Sequence, residues 1–283
     1  MSIELCPVVS ATARSTSGFS VKSIDLAALG NPASPLLVLD DFRVRGQPFG
    51  PHPHAGFAAV TYVFEDSVGS LRSRDSLGHD MVVGPGGMVW SHTGSGMQHE
   101  ELPADLRQEL HGLQFFVNLS SANKLTEPFV MQLLPNDVPE WRSSNGDRIR
   151  IVVGNYADQW SPLVTAEPFN LLDVALRKEL EVAVRADWHT VIYVLDGSVV
   201  VLAQGHNQTV TGGHALGIRC DADGMMAITA QEAARFLVLS GPNIREPVVS
   251  EGPFIMNSRQ QIEVAQSRYR SGAMGRLAPA SVR

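Results

Sequence analysis

Apolar residues in this chain come in short bursts, broken every few positions by glycine, proline or a polar cluster. Eight bursts have the length and the Val, Ile, Leu, Phe and Tyr content of strands: 35–42 (PLLVLDDF), 58–65 (AAVTYVFE), 81–84 (MVVG), 112–119 (GLQFFVNL), 148–154 (RIRIVVG), 189–197 (HTVIYVLDG), 199–204 (VVVLAQ) and 235–241 (RFLVLSG). Many short strands separated by frequent turns predict an all-β sandwich or barrel. A helical period emerges only late, in NSRQQIEVAQSRYRSG (257–272). There Asn257 or Ser258 can cap the start, Ile262, Ala265 and Tyr269 share a face, and Gly272 is placed to stop it. Residues 103–109 are a second, shorter helix candidate.

The pattern repeats. TYVFEDS (61–67) is similar to IYVLDGS (192–198), and PGGMV (85–89) to TGGHAL (211–216). One β-domain used twice is expected, over 1–135 and 136–283, with LLPNDVPEW (133–141) as the linker.

Composition narrows the class. The chain has 283 residues, 44% of them hydrophobic, and a net charge of −7 with no basic block. That leaves ample apolar material for a core and argues against a direct nucleic-acid partner. No apolar run approaches the length of a membrane span, and the first twenty residues do not have the form of a secretory signal. Cys6 and Cys220, the two cysteines, lie far apart and read as free thiols in a reducing cytoplasm.

The candidate chemistry lies in two pairs. PHPHAGF (51–57) holds His52 and His54, and MQHEEL (97–102) holds His99 and Glu101. On a strand, positions i and i+2 share a face, so each pair projects together. Pro51 and Pro53 stiffen the first pair, and GPGG (84–87) gives a tight turn ahead of the second. Six of the nine histidines fall between 52 and 111, a clustering that favours a shared site. Three imidazoles and a carboxylate suit one divalent ion of the Fe(II), Mn, Ni, Cu or Zn kind and leave positions open for water or substrate. Gln114 on GLQFF could hydrogen-bond a ligand or bound water, with His111 on the opposite side of that strand by parity. His79 and His92 could line the cavity mouth, whereas Phe57 and Trp90 read as core.

The sequence resembles the pirin family of the cupin superfamily. The resemblance rests on LDDFRV (39–44), FGPHPHAGF (49–57), YVFEDS (62–67), GH (78–79), PGGMVW (85–90), GSGMQHEELP (94–103), HGLQFFVNL (111–119) and GPNIREPVVSEGPFIMN (241–257). It implies two cupin-type β-barrels, a bicupin, with a short C-terminal helix. It also implies an iron site in the first barrel on His52, His54, His99 and Glu101. Aligning the repeats places Ala183, Arg185, Met225 and Ala227 at the ligand positions of the second barrel, which would then bind no metal. His189, His206 and His214 lie there without a matching pair and read as surface or core histidines.

The family's activities set two expectations. One is a quercetin 2,3-dioxygenase-type enzyme acting on a small aromatic substrate with O2. The other is a metal- and redox-dependent regulatory protein that binds a transcription factor or metabolic enzyme. Many members carry a glutamate four residues after the second histidine, and this chain has Ala58 there, which removes the expected base. Glu65 and Asp66 are nearby in sequence but read as turn residues.

Overall fold

A computed structural model describes residues 3–30 and 34–280. The first strands are β1 (Ile3–Ser10), β2 (Thr12–Thr16) and β3 (Phe19–Ser23). Then come β4 (Leu36–Val44), β5 (His52–His54), β6 (Phe57–Val63), β7 (Leu71–Asp75), β8 (Asp80–Val83), β9 (Met88–His92), β10 (Met97–Pro103), β11 (Leu110–Asn118) and β12 (Phe129–Leu133). The second half opens with β13 (Glu140–Arg142), β14 (Arg148–Val153), β15 (Asn155–Tyr156), β16 (Gln159–Trp160) and β17 (Asn170–Leu176). It continues with β18 (Glu179–Val184), β19 (Trp188–Asp196), β20 (Ser198–Ala203), β21 (His206–Thr211), β22 (His214–Cys220), β23 (Gly224–Thr229) and β24 (Ala234–Pro242). A hairpin of β25 (Val249–Glu251) and β26 (Phe254–Met256) leads to helix α1 (Arg259–Ser271).

The repeat seen in the sequence is a repeat of topology. One seven-stranded sheet runs β12-β9-β6-β11-β4-β3-β2 beside a four-stranded sheet β5-β10-β7-β8. The other pair runs β1-β22-β19-β24-β17-β14-β13 and β18-β23-β20-β21. Strand for strand, β5, β10, β7 and β8 correspond to β18, β23, β20 and β21, and β9, β6, β11 and β4 to β22, β19, β24 and β17. The chain is therefore all-β with two barrels and one short C-terminal helix.

The ends are exchanged relative to the expected division at 135. One compact unit comprises residues 1–13, 22–37 and 137–243, and the other 14–21, 38–136 and 244–283. β1 joins the second-half sheet because its backbone pairs antiparallel with β22, from Ile3 opposite Cys220 to Ser10 opposite His214. α1 joins the first-half unit because Ile262, Ala265 and Met274 pack with Ala55, Phe254 and Met256. Ser258 is the cap, its side chain accepting from the Gln261 N–H, and Gly272 ends the helix at φ 79°. Tyr269 is 39% exposed, so the buried face of the helix is narrower than its spacing suggests. The helix candidate at 103–109 is a turn-rich loop.

The interiors differ. In the second-half unit, apolar side chains from both sheets fill the barrel, among them Val182, Val184, Ile192, Val201, Leu216, Met226, Ile228 and Val238. In the first-half unit, Val44, Val63, Leu71, Val83, Val89 and Leu110 form a smaller cluster, and Val44, Leu71 and Leu110 of it line a cavity.

Candidate metal centre

β5 and β10 pair antiparallel with His52 opposite His99 and His54 opposite Met97. The pairing brings three imidazoles from two strands to one face. Each offers a nitrogen, and the three nitrogens lie within 4.8 Å of one another. Ring centroids are 4.7 Å apart for His52–His54 and His52–His99, and 4.8 Å for His54–His99. Gly50 fixes the His52 tautomer: its carbonyl accepts from Nδ1 at 2.9 Å, which leaves Nε2 as a lone pair facing His99 Nε2 at 3.2 Å. Phe57 and Phe116 wall the cluster, with ring centroids 5.1 and 5.5 Å from that of His54.

The electrostatics favour neutral ligands. Burial pushes His54 down to about 3, His52 adds to the shift, and the Pro253 carbonyl, near the ring but outside hydrogen-bond geometry, opposes it. Burial and the neighbouring His54 and His52 hold His99 well below the usual histidine range. Both ring nitrogens of His54 and Nδ1 of His99 are buried with no hydrogen-bond partner. Burying unpaired nitrogen lone pairs is costly unless something occupies them. Converging imidazoles, two of them kept neutral by burial and carrying unsatisfied nitrogens, are what a borderline divalent ion requires, so the residues fit a metal. No other group of three or more His, Cys, Asp or Glu among the described residues converges in this way.

Glu101 stands beside the trio without joining it. Its Oε2 accepts from the Thr61 hydroxyl at 2.6 Å. Burial pushes its carboxyl up to about 7, against hydrogen bonds from Thr61 and Ser73 that lower it. It lines a cavity of about 620 Å³ together with His52 and Gln114. The other walls are mainly apolar, with Phe42, Leu71 and Leu110 inside and Phe19 and Phe49 in edge-to-face contact at 5.1 Å.

Several sequence expectations change here. Thr61 is opposite Gln114 in the β6–β11 ladder, and Phe57 on the same face touches His54, so alternation turns Ala58 to the other face of β6. A carboxylate at 58 would point away from the imidazoles. His79 does not line the cavity: its Nδ1 bonds the buried Asp75 at 2.8 Å and stabilises a turn. His92 bonds the Thr126 hydroxyl at 2.9 Å and stacks on Phe129. His111, on the opposite side of β11 from Gln114, is held between Asp41 and Asp66 at 3.0 Å each. The group that sequence reading overlooked is Asp40. Its place in LDDFRV, two residues before Phe42, was the available signal, since both line the cavity.

The second barrel also needs a one-residue correction. β18 buries Leu180, Val182 and Val184 and exposes Glu181 and Ala183, while Val182 faces Met226 and Val184 faces Gly224 across the β18–β23 ladder. The positions matching His52, His54, His99 and Glu101 are thus Val182, Val184, Met226 and Ile228, not Ala183, Arg185, Met225 and Ala227. None of these side chains is a usual metal ligand.

Comparison with known proteins agrees with this geometry. Residues 11–117 match the Pirin family model and residues 171–275 the Pirin C-terminal cupin domain. Human pirin is 30% identical over 246 residues, covering 85% of this chain and 83% of its own. The chain belongs to the pirin family. A pirin relative from Pseudomonas aeruginosa, provisionally described as a quercetin 2,3-dioxygenase, is 33% identical over 263 residues, covering 87% of this chain and 90% of its own. A solved quercetin 2,3-dioxygenase from Acinetobacter baumannii superposes with a TM-score of 0.84 at 27% identity, covering 96% of this chain and 98% of that one. The two barrels are accordingly those of a bicupin pirin.

Proposed function

We propose that this pirin is a mononuclear metal enzyme that oxidises a hydroxylated aromatic of the flavonol type with O2. The single observation carrying the proposal is that the imidazole cluster meets, through His52, a 620 Å³ apolar cavity whose polar groups are few: His52, Glu101, Gln114 and Asp40. Its relatives described as quercetin dioxygenases point to the same chemistry.

His52, His54 and His99 would hold the metal, with Glu101 as fourth ligand. The metal, with iron first among Fe(II), Mn, Ni, Cu and Zn, supplies Lewis acidity towards a phenolate and redox access to O2. The chain supplies the rest. Phe42, Leu71 and Leu110 take the flat apolar body, as is usual for pockets of this size. The Thr61 hydroxyl, 2.6 Å from Glu101, holds the carboxylate at the cavity wall. Gln114 orients the substrate from the facing sheet, and the Phe19–Phe49 pair at the mouth limits entry of water.

The test is metal analysis of the purified protein followed by incubation with quercetin under air. About one metal per chain and metal-dependent loss of the flavonol absorbance are expected. An unchanged spectrum with protein loaded in turn with Fe, Mn, Ni, Cu and Zn would overturn the proposal.

A further inference from the structure

In the unit that includes residues 137–243, Val182, Val184 and Met226 stand at the positions of the three histidines, and a mouth remains. A recess of about 310 Å³ opens between β17 and β24 on one side and β18 and β23 on the other. These are the strands that correspond to β4, β11, β5 and β10 around the first cavity. A recess therefore lies at the same place in both barrels, over a filled interior in the second case.

We propose that this recess is a second ligand site that takes a small organic acid by its carboxylate. Its polar lining is dominated by donors. Arg185 sits over the Trp188 ring at 4.8 Å, and its Nη2 reaches Asn155 Oδ1 at 3.5 Å. One face of the guanidinium is covered by the indole, while no acidic side chain among the described residues pairs with it. A guanidinium with free N–H groups is a ready bidentate partner for a carboxylate. Asn170 Oδ1 accepts from the Asn155 N–H at 3.3 Å, which assigns the amide and leaves its NH2 to donate. That placement is built in: a Cβ on Gly154 would come within 1.7 Å of Asn170 Oδ1. Ser240, opposite Asn170 in the β17–β24 ladder, adds a hydroxyl.

The rest of the lining narrows the ligand. Leu172 and Val238 give an apolar floor for a short carbon skeleton. Glu181 alternates onto the same face of β18 as Ala183 and is the acid of the lining. It disfavours a second negative charge and accepts from a hydroxyl or ammonium group. Hydroxy acids and amino acids of one carboxylate are thus preferred to dicarboxylates and to inorganic phosphate.

Calorimetry on the full chain tests this with small α-hydroxy acids, α-amino acids, dicarboxylates and inorganic phosphate as probes. Saturable binding of a hydroxy or amino acid is expected, weakened about ten-fold or more in Arg185→Met, as for loss of a charge-assisted pair. The melting temperature of Arg185→Met without ligand should match wild type, because Arg185 is exposed. A His52→Ala, His99→Ala variant must keep the binding, which separates this site from the first cavity. No saturable heat with any carboxylate, equal affinity in Arg185→Met, or tighter binding of phosphate than of every carboxylate would overturn the proposal.

Discussion

Glu101 and the buried histidines respond to acid in opposite directions. His54 and His99 have folded values below that of an unfolded histidine, so their contribution is present above about pH 6.5 and is lost as the pH falls through the folded values. Glu101 has a folded value raised to about 7, so its contribution is present below the unfolded carboxylate value and is lost as the pH rises through 7. Between roughly pH 4.5 and 6.5 two imidazoles are opposed by one carboxyl, and each can contribute up to about 1.4 kcal/mol per pH unit. The metal-free protein should therefore lose stability in acid faster than a His54→Gln variant, the two profiles becoming parallel above pH 7. A Glu101→Gln variant should lose it faster still. Chemical denaturation across pH checks both, and a wild-type profile parallel to that of His54→Gln from pH 4.5 to 7 would refute the first. Metal affinity gives the clearer readout of the imidazoles. Removing a hydrogen-bonding partner of a ligand typically costs 10–100-fold in metal affinity, so His54→Ala, which removes a proposed ligand, should exceed about 100-fold. Competition with a chelator measures it.

At the scale of elements, β10 carries His99 and Glu101 and is held from behind by the segment after α1. Met274 packs against Gly96, the Gln98 amide donates to the Gly275 carbonyl, and the Ser76 hydroxyl donates to the Met274 carbonyl at 2.8 Å. Gly96 has φ +122°, and a Cβ there would lie 2.3 Å from Met274 Cε. Gly96→Ala should cost about 1–3 kcal/mol through backbone strain and displacement of Met274, and weaken metal binding while leaving all four candidate ligands in place. Thermal melts with and without metal test this, and unchanged metal affinity would show that β10 needs no such support. Lys124 acts similarly on the other strand. It is fully buried, and its Nζ donates to the Gly56 carbonyl at 2.7 Å, just beyond His54, and to the Ile255 carbonyl at 3.2 Å. Neither support was legible in the sequence, because both join residues far apart along the chain. The HxH and HxE spacing was legible because strand parity is a local rule. Ala58 shows where that rule was left incomplete: four residues from His54 falls on the opposite face of β6 from Thr61, and the ladder partners had to be seen to know it. The second barrel failed for the same reason, since a one-residue shift of alignment exchanges Val182 and Val184 for Ala183 and Arg185.

At the scale of the molecule, the candidate metal site belongs to one unit and the filled barrel to the other. Calorimetric unfolding should show two transitions, of which only one rises with metal, by RT ln(1 + [L]/Kd). A single transition that shifts as a whole would show that the units unfold together. The exchange of chain ends has a further consequence, for biosynthesis. As the chain leaves the ribosome, β4 to β12 emerge well before β26, α1 and Met274, which their unit still needs. The three histidines thus leave the ribosome before the segment that packs behind β10, and their unit can complete its packing only near the end of synthesis.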